Sequence, residues 1–158
     1  MKINNISKLV TAVAVPELAG IVGAIFTIPS IPAWYAGLIK PSLAPPNWLF
    51  APVWTALFLL MGIAAFLIWS RGLDKKEIKI ALAVFLGQLA LNTLWSIIFF
   101  GWCKPGAALI EIFILWLAIL ATISIFYRIS RLAAWLLVPY LVWVSFAAYL
   151  NYAIWTLN

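Results

Sequence analysis

The sequence predicts an all-α membrane protein, a bundle of five transmembrane helices. Three observations carry this prediction: an apolar composition, five long apolar stretches and an uneven distribution of charge. Hydrophobic residues make up 67% of the 158 residues and charged residues 9%, against about 45–50% and about 25% in soluble domains. A soluble domain of this length cannot bury so much apolar surface, because small domains leave a large part of their area exposed. Lipid must cover the excess.

Five apolar stretches are long enough to cross a bilayer, which takes about 20 apolar residues of helix. They must be helical because lipid offers no hydrogen-bond partner to an open backbone. The first continues past Glu17, so we expect a full span rather than a cleaved signal peptide. The whole chain, 1–158, then forms one transmembrane domain with spans at about 9–28, 48–69, 80–100, 107–126 and 133–157.

The segments between these spans have distinct compositions. Residues 29–47 contain five prolines, too many for a continuous helix, and are predicted to form a loop with its own conformation. Residues 70–79 carry six charged side chains and are predicted to be a solvated loop. Residues 104–106 and 127–131 are predicted to be tight turns.

The basic side chains orient the bundle. Two of the ten, Lys40 and Lys104, are predicted to lie on one side of the membrane and eight on the other. We expect a prokaryotic cell membrane, in which basic residues favour the cytoplasmic side, so the N-terminus is predicted in the cytoplasm and the C-terminus outside. The net charge of +6 is therefore a topology signal and not a nucleic-acid patch. The eight are Lys2, Lys8, Arg71, Lys75, Lys76, Lys79, Arg128 and Arg131.

Few side chains could support catalysis or bind a metal. Histidine is absent, and Cys103 is the one cysteine. The commonest metal ligand and the usual general base are therefore missing. We predict no catalytic residue, no metal site and no cofactor.

Amide and aromatic side chains within the spans fall on three helical faces. Gln88, Asn92 and Asn151 could bridge helices by hydrogen bonds or face a cavity. The aromatic side chains beside them could enclose a flat apolar ligand, although spacing alone favours plain aromatic packing. The faces are Trp54, Phe58 and Met61; Gln88, Asn92, Trp95 and Phe99; and Tyr140, Trp143, Ala147, Leu150 and Asn151.

Ordered motifs from about residue 16 to the end of the chain resemble one family. The segment 34–41 reads WYAGLIKP, and PPNW at 45–48, PVW at 52–54 and MG at 61–62 follow it. GQLALN at 87–92, FFG at 99–101, PYLVW at 139–143 and LNY at 150–152 complete the pattern. By these motifs the sequence resembles the TspO/MBR family, also described as translocator protein, peripheral-type benzodiazepine receptor or tryptophan-rich sensory protein.

The resemblance implies a five-helix bundle whose first loop covers a pocket for protoporphyrin IX, haem and similar ligands. One position departs from the family, since Phe58 stands where we associate a tyrosine. We predict that Trp143 and Ala147 form one wall of the pocket and Trp54 the opposite wall. The pocket residues carried over by motif are Tyr35, Pro46, Trp54, Phe58, Asn92, Trp95, Trp143, Ala147 and Leu150.

The resemblance also implies a function, with one alternative. The first expectation is a non-enzymatic binding, sensing or transport protein for tetrapyrroles, which are ligands and not cofactors. Because histidine is absent, haem would lack its usual axial ligand, so we expect free-base porphyrin or loosely bound haem. The alternative is an enzyme that promotes light- and oxygen-dependent porphyrin degradation, although no cluster of catalytic side chains supports it.

A pair of small residues on the third helix predicts self-association. Ala83 and Gly87 are four residues apart, which lets two helix backbones approach closely, and the family resemblance also implies a homodimer there. The same pair could instead pack within the chain. Helix 1 offers a rival patch of small residues at Gly20, Gly23 and Ala24.

Overall fold

Five long helices make up most of the protein in the computed structural model, which describes residues 4–158. Each helix is long and apolar enough to cross a membrane, so the predicted all-α membrane fold is confirmed. Lys2, one of the basic residues used to predict orientation, lies outside the described residues. The helices are α1 (Asn5–Ser30), α2 (Phe50–Trp69), α3 (Lys76–Ser96), α4 (Pro105–Ile129) and α5 (Arg131–Leu157).

The helices extend beyond the predicted spans at their polar ends. Helix α3 begins at Lys76, so the charged connection is 70–75 and not 70–79. Only Ser130 separates α4 from α5, and its hydroxyl caps α5 by accepting the N–H of Ala133 at 3.4 Å. The predicted turn at 127–131 is therefore wrong in extent. Hydropathy marks the apolar part of a helix, whereas the hydrogen-bonded helix continues into its charged first and last turns.

Helix α1 passes through two prolines. The side chain of Asn4 caps it by accepting the N–H of Ser7 at 2.8 Å, and the helix continues through Pro16 and Pro29 to Ser30. A spanning helix tolerates proline because neighbouring groups can compensate for the lost hydrogen bond. The first connection is therefore 31–49, two residues later than the predicted 29–47, and contains short 3-10 turns at Tyr35–Gly37 and Asn47–Leu49.

Helix α3 ends in a single π turn, Ile97–Gly101. The N–H of Trp102 donates to the carbonyl of Ile97 at 2.8 Å, which closes this wider turn. Such turns reorient side chains and are frequent at functional sites. Here the turn places Phe99 and Phe100 with ring centroids 6.5 and 5.7 Å from that of Tyr35 in the first connection.

The helices form a ring in which α1 packs against α2 and α3, α2 against α5, and α4 against α3 and α5. We call the half of the bundle away from residues 31–49 the packed half and the half beside them the open half. The packed half contains most of the buried core, including Met61, Ile68, Ile78, Ala81, Ile119, Phe126 and Leu137. Gly62 lets α1 approach there, since a Cβ on it would lie 2.6 Å from the Cα of Val13.

Candidate ligand-binding site

A cavity of about 320 Å³ occupies the open half between α1, α2, α3 and α5, under residues 31–49. This volume lies at the small end of the range for small-molecule sites. Most of its wall is apolar or aromatic, with a few polar groups at separate points. The lining residues from the helices include Gly20, Gly23, Thr27, Phe50, Trp54, Phe58, Asn92, Trp95, Phe99, Trp143, Ala147, Leu150 and Asn151.

The cavity brings together eight of the nine residues carried over by motif, all except Pro46. Pro46 is exposed, and its carbonyl accepts the N–H of Leu49 at 3.0 Å, so it shapes a turn while the next residue, Asn47, faces the cavity. Trp54 and Trp143 occupy adjacent walls and not opposite ones, because α2 packs directly against α5. That these residues contact a ligand remains a prediction.

Aromatic contacts fix the orientation of the rings around the cavity. Trp54 stacks on Phe58 with ring centroids 5.5 Å apart, and it makes an edge-to-face contact with Tyr140 at a centroid distance of 6.2 Å. Trp95 stacks on Phe99 at 5.1 Å. Stacked and edge-to-face pairs are the preferred aromatic geometries. The rings therefore present flat surfaces to the cavity.

The buried amides bridge helices, as one reading of the sequence expects. Asn92 donates from Nδ2 to the Tyr140 hydroxyl at 3.0 Å, and that hydroxyl donates to Oε1 of Gln88, also at 3.0 Å. The indole N–H of Trp95 donates to Oδ1 of Asn151 at 3.0 Å, and Asn151 donates to the carbonyl of Pro105 at 2.7 Å. These bonds connect α3 to α5 and α5 to the start of α4, so the side chains of Asn92, Trp95 and Asn151 already have protein partners.

The inward face of α1 is a part of the site that motif reasoning missed. A Cβ on Gly20 would overlap the ring of Phe58, and one on Gly23 would lie 3.1 Å from Oγ of Ser96. The suggested rival dimer patch therefore faces the cavity and not another subunit. The spacing of Gly20, Gly23 and Thr27, at i, i+3 and i+7, could have identified this face.

Two sets of contacts hold the first connection in place over the cavity. Tyr35 is 5% exposed, and Nζ of Lys40 lies 4.7 Å from its ring centroid. Burial raises the pKa of the Tyr35 phenol, so this group stays protonated at neutral pH. At the second point the side chain of Asn158 accepts the N–H of Ile39 at 3.0 Å and donates to its carbonyl at 3.1 Å. No sequence pattern indicates this contact.

Acidic and metal-ligating side chains are sparse around the cavity. Within residues 4–158, no group of three or more His, Cys, Asp or Glu side chains comes together. The one charged side chain among the lining residues is Glu17. The indole N–H of Trp143 is fully buried without a partner among the described residues.

Comparisons with known proteins agree with the motifs. The model of the TspO/MBR family matches residues 12–156. The tryptophan-rich protein TspO of Archaeoglobus fulgidus is 45% identical over 155 residues, which cover 98% of this chain and 99% of that protein. The translocator protein of Homo sapiens is 42% identical over 145 residues, 90% of this chain and 85% of that protein. Protein CrtK of Rhodobacter capsulatus is 40% identical over 140 residues, 89% and 86% respectively. The chain therefore belongs to the TspO/MBR family of integral membrane proteins.

Proposed function

We propose that this protein binds protoporphyrin IX and similar flat, mostly apolar molecules in the cavity of the open half. It acts as a receptor or carrier and not as a catalyst. The observation that carries the proposal is the cavity itself, an aromatic-walled space inside a membrane bundle with a fastened loop above it. Flat aromatic walls favour flat ligands because stacking adds to the burial of apolar surface.

Size and charge indicate how a tetrapyrrole would sit. A macrocycle is larger than about 320 Å³, so it would fill the cavity and extend through its mouth. Among the described lining residues none is basic, and a carboxylate is costly to bury without a partner. The propionates of a porphyrin would therefore stay at the mouth, near Lys40 of the first connection.

Metal-free porphyrin is the better ligand for this chain. Histidine is absent from the sequence, so haem would be bound without its usual axial ligand. Ligand binding should be measured in the dark, because porphyrins are photochemically reactive. If illumination with oxygen gives a defined product faster than free porphyrin does, the alternative of a degrading enzyme is favoured.

The proposed orientation is N-terminus in the cytoplasm and C-terminus outside, in a prokaryotic cell membrane. Five spans place the two termini on opposite sides, and the basic residues decide which side is which. A reporter active only outside the cytoplasm should be active after Asn158 and silent within 70–75. The reverse pattern would overturn the orientation and place the cavity on the cytoplasmic side.

We also propose that the protein forms a homodimer through α3. Ala83 and Gly87 are exposed on the outer surface of the bundle, and a Cβ on Gly87 would meet open space. Their packing against a helix of the same chain is therefore contradicted. Gly87→Leu should convert the detergent-solubilised dimer to monomer without lowering its melting temperature. A dimer that survives this change would use another surface.

The direct test of the binding proposal is a titration of the purified protein in lipid nanodiscs with protoporphyrin IX. We expect saturable quenching of tryptophan fluorescence, because four tryptophans, Trp34, Trp54, Trp95 and Trp143, lie in or beside the cavity wall. The control is a solution of a soluble indole mixed with protein-free discs. Quenching of the protein that rises linearly with porphyrin concentration, as it does in this control, would contradict the proposal.

A further inference from the structure

Glu17 places a carboxyl group near the middle of a membrane-spanning helix. It lies between Asn5 and Ser30, the two ends of α1, and is about 18–20 Å from either end at a rise of 1.5 Å per residue. The same side chain lines the cavity of the open half. An ionisable side chain at this depth in a bilayer is costly, and such residues mark sites for ligands or ions.

The basic side chains of the neighbouring helices lie far from Glu17. Helix α2 contains no charged residue, the charges of α3 end at Lys79 in its first turn, and that of α5 is Arg131 at its start. On α1 the nearest basic residue is Lys8, about 13 Å away along the helix axis. Since none of the described lining residues is basic, a cation that pairs with Glu17 in the cavity would belong to a bound molecule.

The part of α1 that lines the cavity brings an aromatic ring close to this carboxyl group. Its lining residues recur at helical spacing and so form one stripe along the cavity. Gly20 lies one turn from Glu17, and a Cβ on Gly20 would overlap the ring of Phe58. The absence of a side chain at Gly20 therefore lets this ring of α2 approach α1 one turn from the carboxyl group. The stripe includes Glu17, Gly20, Ile21, Ala24 and Ile28.

The groups on this side of the cavity share a preference for positive charge. The rings of Phe58 and Trp54 are stacked with centroids 5.5 Å apart, and both line the cavity together with Glu17. An aromatic face attracts a cation held within about 6 Å of its centroid. A carboxylate binds an ammonium group by charge-assisted hydrogen bonds. The side of the cavity between α1 and α2 therefore favours a flat ligand with a positive group and disfavours one with a carboxylate there.

We propose that Glu17 binds the amine of flat aromatic ligands that carry a basic amino group. The aromatic part of such a ligand lies against Trp54 and Phe58, and its ammonium group pairs with the carboxylate of Glu17. The inference rests on the proposed function for the cavity as the ligand site, and it adds a cationic ligand class to the porphyrins. The two classes are oriented differently, because porphyrin propionates stay at the mouth near Lys40 whereas the amine reaches the middle of α1.

The test compares two probes of nearly equal shape that differ in charge. Anthracenylmethylamine carries an ammonium group at neutral pH, and anthracenylmethanol carries a neutral hydroxyl group in the same place. Equilibrium dialysis between protein-containing and protein-free phosphatidylcholine nanodiscs gives the affinity of each probe and corrects for partition into lipid. We expect the natural sequence to bind the amine about tenfold more tightly than the alcohol, because a hydrogen bond between charged groups is stronger than one with a neutral donor.

Two variants of Glu17 and one control locate the preference. Glu17→Gln keeps the shape of the side chain but removes its charge, so the ratio of the two affinities should fall to about one. Glu17→Leu should give the same ratio, and it keeps the test decisive if Glu17→Gln does not fold, because leucine is favoured in a spanning helix. Glu77 is an exposed acid in the first turn of α3, so Glu77→Gln should keep the natural ratio. A merely structural role of Glu17 would change both affinities together and leave the ratio constant.

The outcomes separate this inference from the proposed function. A preference for the amine that is lost in Glu17→Gln and Glu17→Leu supports the ammonium site, whether or not protoporphyrin binds to the same preparations. Equal affinities in the natural protein, or a preference that both Glu17 variants retain, overturn the site while leaving porphyrin binding intact. Failure of both probes to bind overturns it as well, and the protoporphyrin titration then decides the proposed function separately.

Discussion

The packed half and the open half of the bundle are built from the same helices but are filled differently. In the packed half, small residues such as Gly62, Ala64 and Ala81 are fully or almost fully enclosed, and branched apolar side chains fill the space between the helices. In the open half, wide aromatic rings keep the helices apart around a cavity. Tight packing stabilises the bundle at one end, so the other end can retain an unfilled volume.

Two glycines illustrate this difference, one at a close contact between helices and one beside the cavity. Gly62 lies against backbone atoms of α1, which cannot move without shifting the whole helix. Gly20 lies against the ring of Phe58, which borders the cavity. A residue of the same type therefore has a rigid neighbour in one half and a movable neighbour in the other.

The largest expected effect is on stability, from adding one methyl group in the packed half. In Gly62→Ala the new Cβ would lie 2.6 Å from Cα of Val13 and 2.9 Å from the carbonyl oxygen of Ala12. Overpacking of this kind costs about 1–3 kcal/mol or more, measured as the free energy of unfolding in mixed detergent. Gly20→Ala should cost less, because Phe58 can turn into the cavity. Equal losses would mean that the open half is as rigid as the packed half.

The next effect is on ligand affinity. Trp143→Ala removes apolar contact and stacking at the cavity wall, a loss of about 1–3 kcal/mol, or about five- to 150-fold in affinity for protoporphyrin. Trp135 is on the same helix but 65% exposed to lipid, so Trp135→Ala is the matched control and should bind normally. Titration of both variants, each confirmed folded by circular dichroism, measures the contrast. Normal binding by Trp143→Ala would assign the indole to packing alone.

The architecture could be predicted from the sequence because each apolar stretch is long enough to span a bilayer as a helix. It did not mark the helix ends, since Lys76 and Arg131 are polar but still belong to helices. Eight lining residues followed from motifs, whereas Pro46 turned outward because its neighbour Asn47 took the inward position.

Other parts of the site could not be read from the sequence because they depend on three-dimensional contacts. The hydrogen bonds between Asn158 and Ile39 join residues 119 positions apart. The π turn at Ile97–Gly101 adds a residue to one turn without any proline or glycine at its start.

A smaller effect should come from loosening the loop over the open half. Asn158→Ala removes both hydrogen bonds to Ile39, each worth about 0.5–1.5 kcal/mol. The N–H of Ile39 should then exchange with solvent faster by hydrogen–deuterium exchange, and protoporphyrin should dissociate a few times faster. Asn158→Asp retains the acceptor for this N–H but loses the donor, so it should be intermediate. Unchanged exchange at Ile39 in Asn158→Ala would show that other contacts fasten the loop.

The central claim is tested most directly by a substitution that fills the cavity without changing the rest of the bundle. In Ala147→Phe the added ring would occupy the space beside Trp143, whereas in Ala121→Phe the same ring would point away from the bundle on the outer face of α4. Both folded variants are titrated with protoporphyrin in the dark beside the natural protein. The account predicts that saturable binding is abolished in Ala147→Phe and unchanged in Ala121→Phe. Equal affinity in all three proteins would contradict it and place the ligand outside this cavity.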